Sequence, residues 1–330
     1  MVEVVENTLR DGSYVVDFQM TAEDHTRVAG GLAKLGFKYI EVGHGLGLCA
    51  GQNPRTGLSA ETDAAYIDAA RAAAPDAKIG VFFIPGIGTK DAILEAKEHG
   101  IDFIRIGNNV DRYEAAREYV EYAQSLGLMV CVNLMKSYGV KSYEFTQIVK
   151  EIDQWGGVEA IYLVDSAGCM TPDEVYEYVD RTREQVQTNI GFHGHNNLDL
   201  AVANSLAAIN AGAKYVDTCV RGMGRSAGNA QTEIMVHLLQ KKGIWDNSIN
   251  LYDLYDFANK GVVPMMPRQQ GLSDEEIHIG VSKFHTSFMP FVNKAAESYP
   301  VDKRRIIKEV SDVNCINPSE DLFLEIASTL

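Results

Sequence analysis

The sequence predicts an α/β fold, a (βα)8 TIM barrel over residues 1–244 followed by a helical C-terminal region over 245–330. Three observations carry this expectation. Short apolar, β-branched runs recur along the chain, segments of helical spacing lie between them, and the junctions from helix to strand share one signature. The runs are VEVVEN, KYIEVG, KIGVFF, DFIRIG, MVCVNL, AIYLVD, IGFHGH and YVDTCV. Eight of them in about 240 residues, all continuously buried in character, fit a closed parallel barrel better than an open doubly wound sheet, whose edge strands would be more polar.

The first run leads into NTLRDGSY, where an arginine, an aspartate and a glycine follow a strand tip. Asp-Gly is a common turn dipeptide, and strand tips are also where side chains face a cleft. Helical spacing follows in TAEDHTRVAGGLAKLG and returns in TKDAILEAKEHG, YEAAREYVEYAQSLG, TPDEVYEYVDRTREQVQ and LAVANSLAAINAGA. In LGFKYIEV, HGIDFIRI, LGLMVCVN and AGAKYVDT a glycine closes the helix just before the next strand, the signature of a C-terminal cap. Thr171 before Pro172 and two acids marks a helix start. Beyond Ile244 the alternation stops, and LYDLYDFANK, DEEIHIGVSKFHTSFMPFVNKAAES and SEDLFLEIAS read as helices alone.

Composition excludes several classes. A formal net charge of −15 disfavours a nonspecific nucleic-acid binder. No apolar stretch approaches the roughly 20 residues of a membrane span. No signal-type segment opens the chain, so the cytoplasm is the expected compartment. Cys49, Cys131, Cys169, Cys219 and Cys315 form an odd set without CxxC spacing, which points to reduced, mostly buried thiols.

In such a barrel the chemistry sits at the C-terminal tips of the strands. Asp11 follows strand one, and His193 and His195, two apart on strand seven, share a face. Two imidazoles and a carboxylate can hold a divalent cation with positions open for substrate, and a hydrogen-bonded core pair of histidines is the plain alternative.

TLRDGS, EVGHG, PGIGT, VDSAG, HGHNNLDLAVANS and GMGRSAGNA, in this order, resemble the metal-dependent 4-hydroxy-2-oxovalerate aldolases of the DRE-TIM metallolyase superfamily. The resemblance implies a class II pyruvate aldolase, a lyase that cleaves or forms a 4-hydroxy-2-oxo acid from pyruvate and an aldehyde. It implies that Asp11, His193 and His195 hold a divalent cation, commonly manganese, with magnesium, cobalt or zinc as alternatives. It further implies that Arg10 steadies the pyruvate enolate, with Gly12 permitting the turn that aims both neighbours inward. Cleaving the C3–C4 bond leaves a carbanion tolerable only as an enolate held by a Lewis acid and a hydrogen-bond donor, which is why these residue types are needed.

One departure stands out. Where these aldolases carry a histidine base, this chain has Tyr14, a poor base with a pKa of about 10. GVSKFHTSF resembles a stretch in which the family's active-site tyrosine takes the place of His285, so the two residue types have exchanged positions. The expectation is a single proton-transfer unit, His285 the base and Tyr14 the orienting donor; a pocket-lining Tyr14 with a surface helical His285 is the alternative.

Smaller expectations complete the site. Ser166 contacts the pyruvyl part or satisfies a turn, Asn229 approaches the metal or caps a helix, and His44 orders its Gly-rich loop. Phe82 and Ile84 border the aldehyde pocket or fill the core. Arg225 receives an anionic group of the substrate or pairs with a neighbouring acid. Two other functions stay open: a Claisen-type acyltransferase of the isopropylmalate synthase kind, and a noncatalytic metal-binding barrel acting as a partner protein. Family resemblance suggests an aldehyde dehydrogenase subunit, or a second copy of the chain, docked through the C-terminal region.

Overall fold

The computed structural model describes residues 1–245 and 249–330. Eight parallel strands close into a barrel in sequence order: β1 (Glu3–Glu6), β2 (Tyr39–Val42), β3 (Lys78–Phe83), β4 (Phe103–Asn109), β5 (Met129–Met135), β6 (Val158–Asp165), β7 (Asn189–Gly194) and β8 (Tyr215–Thr218). Closure comes from β1 pairing with both β2 and β8, with Val5 opposite Tyr39 on one side and Asp217 on the other. Each apolar run of the sequence is one of these strands, and the open-sheet alternative is excluded.

The outer ring is α1 (Ala22–Lys34), α2 (Asp63–Ala73), α3 (Lys90–Glu98), α4 (Arg117–Ser125), α5 (Ser142–Asp153), α6 (Pro172–Arg183), α7 (Ala201–Asn210) and α8 (Thr232–Lys242). Thr171 caps α6 in a reciprocal box with Glu174 and with proline in the first turn. Gly36, Gly100, Gly127 and Gly212, the glycines of the junction signature, all adopt positive φ, between 73° and 105°. A side chain there would be strained, so the signature marks real helix ends.

The strands bury both faces. Val81, Ile104, Val132 and Leu163 pack outward beneath the helices, whereas Val5, Tyr39, Phe103, Cys131, Tyr162 and Tyr215 form a separate cluster inside the barrel. One step up each strand from that inner layer stand Glu41, Arg105 and Asp217, all buried. The interior is therefore aromatic at its base and charged towards its mouth.

After the barrel come α9 (Leu251–Phe257), α10 (Asp274–Val281), α11 (Met289–Ser298), α12 (Lys303–Val313) and α13 (Glu320–Thr329). Leu254, Ala258 and Val262 pack with the barrel's outer cluster, while Ile279, Phe284, Val292, Ile306, Val310 and Phe323 make a second apolar core. The long helical run expected over DEEIHIGVSKFHTSFMPFVNKAAES is interrupted. Lys283 takes a left-handed φ of 55°, Phe284 turns into the second core, and a 3-10 turn, Thr286–Phe288, precedes α11, which restarts at a proline-bearing first turn. No helix among the described residues is long and apolar enough to cross a membrane.

Candidate active site

The carbonyl of Asn7 accepts the N–H groups of Arg10 (3.0 Å) and Asp11 (2.9 Å), curling the chain from β1 into a 3-10 turn, Asp11–Val16. This turns the Arg10 and Asp11 side chains over the barrel mouth. Arg10 donates from Nε to Glu41 (2.7 Å) and from Nη1 to Asp11 (2.8 Å), with its guanidinium carbon 4.8 Å from the centre of the Phe82 ring. Its Nη2 makes no hydrogen bond among the described residues. The expectation that Gly12 supplies a turn is corrected: its φ is not positive, and a Cβ there would meet Met223 Cγ at 3.1 Å. Close approach, not backbone freedom, makes the position small.

At the tip of β7 the Nδ1 atom of His193 lies 2.8 Å from Asp217 Oδ2. His195 presents its Nδ1 at 4.0 Å from Asp11 Oδ2, buried and without a partner among the described residues. One ligand atom each from Asp11, His193 and His195 falls within 4.8 Å of the others. Asn229 donates to Asp11 Oδ2 at 2.5 Å while its own Oδ1 is buried and unpaired. Asn229 is thus at this cluster and not a helix cap; Gln231 occupies the N-cap of α8. Buried polar atoms are seldom left unpaired, so two orphaned acceptors beside a carboxylate fit a bound cation. The mixed imidazole and carboxylate set suits a divalent first-row metal.

Burial opposes the charge on Asp11, but the guanidinium groups around it, Arg10 first and then Arg225, outweigh it and hold the carboxyl well below the usual carboxylate range. Burial, reinforced by Arg225, pushes His195 well below the ordinary imidazole value, so its ring is neutral and able to ligate. Behind the triad runs a buried ladder of alternating charge. Arg10 bonds Glu41, Glu41 accepts from Arg105 Nε (2.8 Å), and Arg105 Nη1 bonds both oxygens of Asp217 (2.8 and 2.7 Å), which in turn holds His193. Arg105 also lies 4.7 Å from the centre of the Tyr162 ring. A carboxylate behind a histidine fixes which ring nitrogen is available to a metal, here Nε2.

A pocket of about 180 Å³ opens over this floor, and Arg10, Asp11, Tyr14, Ser166, His193, His195, Arg225 and His285 all line it. Phe82 and Ile84 form part of its wall. Tyr14 is pushed up by burial to about 12 and remains a protonated phenol at neutral pH. His285 is pushed well below its ordinary value by burial, then by Arg225 and Lys136. No hydrogen bond joins Tyr14 to His285 among the described residues. Instead Ser287 engages the imidazole, its N–H donating to Nδ1 at 3.1 Å and its hydroxyl lying 2.7 Å from the same nitrogen. His285 is on the break between α10 and α11 and not on a helix face.

Ser166 accepts the backbone N–H of Lys136 on its hydroxyl (3.0 Å) and Arg225 Nη2 on its carbonyl (2.6 Å). Arg225 pairs with no acid among the described residues; its other contact is Thr286 Oγ1 at 2.5 Å. His44 accepts the Leu46 N–H (3.0 Å) on Nδ1, meets the Gly57 carbonyl through Nε2 (3.1 Å) and stacks on Phe18, ordering its loop.

Sequence reasoning missed Glu41, Arg105, Asp217 and Lys136. The first three carry a signal, a charged residue inside an apolar run at the same parity as the inward-facing positions. Lys136 carries none, because it stands just past its strand.

A family model described as HMGL-like matches residues 1–260. Over 329 residues the chain is 35% identical to a 4-hydroxy-2-oxovalerate aldolase of Desulfitobacterium hafniense, covering all of this chain and 98% of that one. It is 36% identical over the same length to the 4-hydroxy-2-oxovalerate aldolase of Bacillus cereus, covering 96% of it. Among solved structures, the carboxyl transferase domain of Rhizobium etli pyruvate carboxylase superposes with a TM-score of 0.80 at 17% identity, covering 99% of this chain and 62% of that one, a likeness of fold.

Proposed function

The chain belongs to the HMGL-like family, and from that premise we propose that it is a lyase, a pyruvate aldolase that cleaves or forms a 4-hydroxy-2-oxo acid with a divalent cation held by Asp11, His193 and His195. The single observation that carries the site assignment is the convergence of those three ligand atoms within 4.8 Å in the pocket that Arg10, Tyr14 and His285 also line. The cation, manganese in this reading, supplies Lewis acidity towards the 2-oxo acid.

The chain's own groups do the rest. In the cleavage direction the C4 hydroxyl gives up its proton, the C3–C4 electron pair moves into the C2 carbonyl to form an enolate, and the aldehyde departs. Protonation at C3 then yields pyruvate. Arg10, permanently cationic and locked by Glu41 and Asp11, offers its remaining edge to the enolate oxygen. In this reading His285, which lines the same pocket as Tyr14, is the base for the hydroxyl proton. Tyr14 orients the hydroxyl as a donor. Ser166 and Arg225 bind the substrate along the wall between β6 and β8.

The C-terminal region exposes Leu272, before α10, and Ile277 and Val281 on it, and docking of an aldehyde dehydrogenase or a second copy through this region is part of the same reading. Incubation with manganese and 4-hydroxy-2-oxo acids, following pyruvate release, tests it. Coenzyme A release from an acyl thioester with no pyruvate formed would replace it with the acyltransferase reading.

A further inference from the structure

Positive charge in the pocket exceeds what pyruvate chemistry requires. Of the three cationic side chains lining it, Arg10 is matched by Glu41 and Asp11. Arg225 and Lys136 form no ion pair among the described residues. This happens in a protein with 45 acidic against 30 basic residues, so acids to pair with them were plentiful. Lys136 is 5% exposed, and its ammonium donates to the Ile316 carbonyl (2.6 Å) and sits 4.6 Å from the centre of the Phe288 ring. Asp111, whose charge acts on it, accepts from Asn317 instead. An unpaired ammonium in such a place is costly, and structures seldom keep one without use.

The two cations are neighbours. Both bracket Ser166, Lys136 through its backbone N–H on the hydroxyl and Arg225 on the carbonyl. Both lie under the same 3-10 turn, Arg225 against Thr286 and Lys136 against Phe288. Burial and then the field of Arg225 push Lys136 down to about 8, a mutual repulsion that an anion between them would relieve. A neutral aldehyde gives this pair nothing to bind. With a divalent cation and Arg10 at the inner end, the pyruvyl carboxylate and the enolate are already matched.

Resting on the aldolase reading, we propose that the aldehyde half of the substrate carries an anionic group, a carboxylate or a phosphate, held between Arg225 and Lys136. The substrate is then a 4-hydroxy-2-oxo acid with an anion at each end. Lys136, which no sequence motif marks, is a specificity residue.

Two experiments on the full chain decide this. In the first, succinate and, separately, inorganic phosphate are titrated calorimetrically with manganese and oxalate present to fill the inner end. One of the two binds the wild type, which identifies the anion class; Arg225→Ala and Lys136→Met each weaken it by about tenfold or more, and Lys136→Arg restores most of it. Binding of neither probe, or binding that both substitutions leave unchanged, overturns the proposal. In the second, kcat/KM with pyruvate is compared for succinic semialdehyde against butyraldehyde, and for glycolaldehyde phosphate against glycolaldehyde. The wild type prefers one acidic member by about tenfold or more, and that ratio collapses in both variants. A preference for both neutral members overturns the proposal. Should no aldehyde react and no deuterium enter the pyruvate methyl group, the aldolase reading falls, and the titration alone decides the anion site.

Discussion

Replacing Asp217 by asparagine keeps the shape of one rung of the buried ladder and removes its charge. The carboxylate accepts from Asn7 (2.7 Å), twice from Arg105 Nη1 (2.8 and 2.7 Å), and from His193 Nδ1 (2.8 Å). An amide has one oxygen where the carboxylate has two, so one face presents N–H against N–H whichever way it sits. Breaking one partner of a buried pair costs about 3 to 5 kcal/mol, and the lower end applies because Arg105 keeps Glu41. The same change loosens the grip on His193 and should weaken metal affinity by about 10- to 100-fold. Urea denaturation of the metal-free protein gives the first quantity, and free manganese measured by electron paramagnetic resonance gives the second. A stability loss with manganese affinity unchanged would show that Asp217 supports the barrel and not the ligand. A loss under about 1 kcal/mol would refute the coupled ladder itself.

Four further outcomes follow from the site. Alanine at Asp11, His193 or His195 should abolish stoichiometric manganese retention after dialysis; full metal content in all three would end the triad assignment. Arg10→Lys should lower kcat by about 10² to 10³, because an ammonium cannot span Glu41 and Asp11 while facing the enolate oxygen; wild-type turnover would remove Arg10 from the chemistry. His285→Ala should lower the rate of aldol cleavage by about 10² or more; an unaltered rate would show that another group is the base. Lys136 is lowered from 10.5 in the unfolded chain to about 8 by burial and Arg225, with Arg112 acting in the same direction and Asp111 and Cys315 opposing. A depressed ammonium binds fewer protons folded than unfolded between those values, so stability from this group rises across pH 8 to 10.5. Lys136→Met should therefore gain on the wild type below pH 8, with the gap closing by about 3 kcal/mol towards pH 10.5; a gap independent of pH would show that the ammonium is not desolvated.

The barrel was legible because each strand is buried on both faces and reads as an unbroken apolar run, and because Gly36, Gly100, Gly127 and Gly212 punctuate the helix ends with a conformation few other residues tolerate. The metal cluster was legible for a similar reason: barrel topology sends every strand tip to one mouth, and His193 and His195 share parity. What escaped depends on register across the closed sheet. Arg105 and Asp217 are 112 positions apart and meet only because the barrel's stagger brings β4 and β8 to one height. The helix break beside His285 escaped because DEEIHIGVSKFHTSFMPFVNK has helical composition throughout, and the break at Lys283 is imposed by Phe284 packing into the second core. Lys136 escaped because its burial is made by Phe288 and Ile316, from another part of the chain.

The ladder also determines where this barrel can be divided. Arg10 follows β1, and Glu41 and Arg105 lie on β2 and β4, while Asp217 and His193 lie on β8 and β7. A fragment ending after β4 would keep three rungs and leave Arg105 without its bidentate acceptor. A fragment beginning at β5 would keep Asp217 with no arginine to meet it. Fusing two copies of the second fragment into a symmetric barrel would set two Asp217 carboxylates in one water-poor layer, where like charges repel and neither is solvated. The two halves are therefore complementary parts and not interchangeable modules. Co-expressed fragments split between β4 and β5 should recover a folded barrel only as the unlike pair.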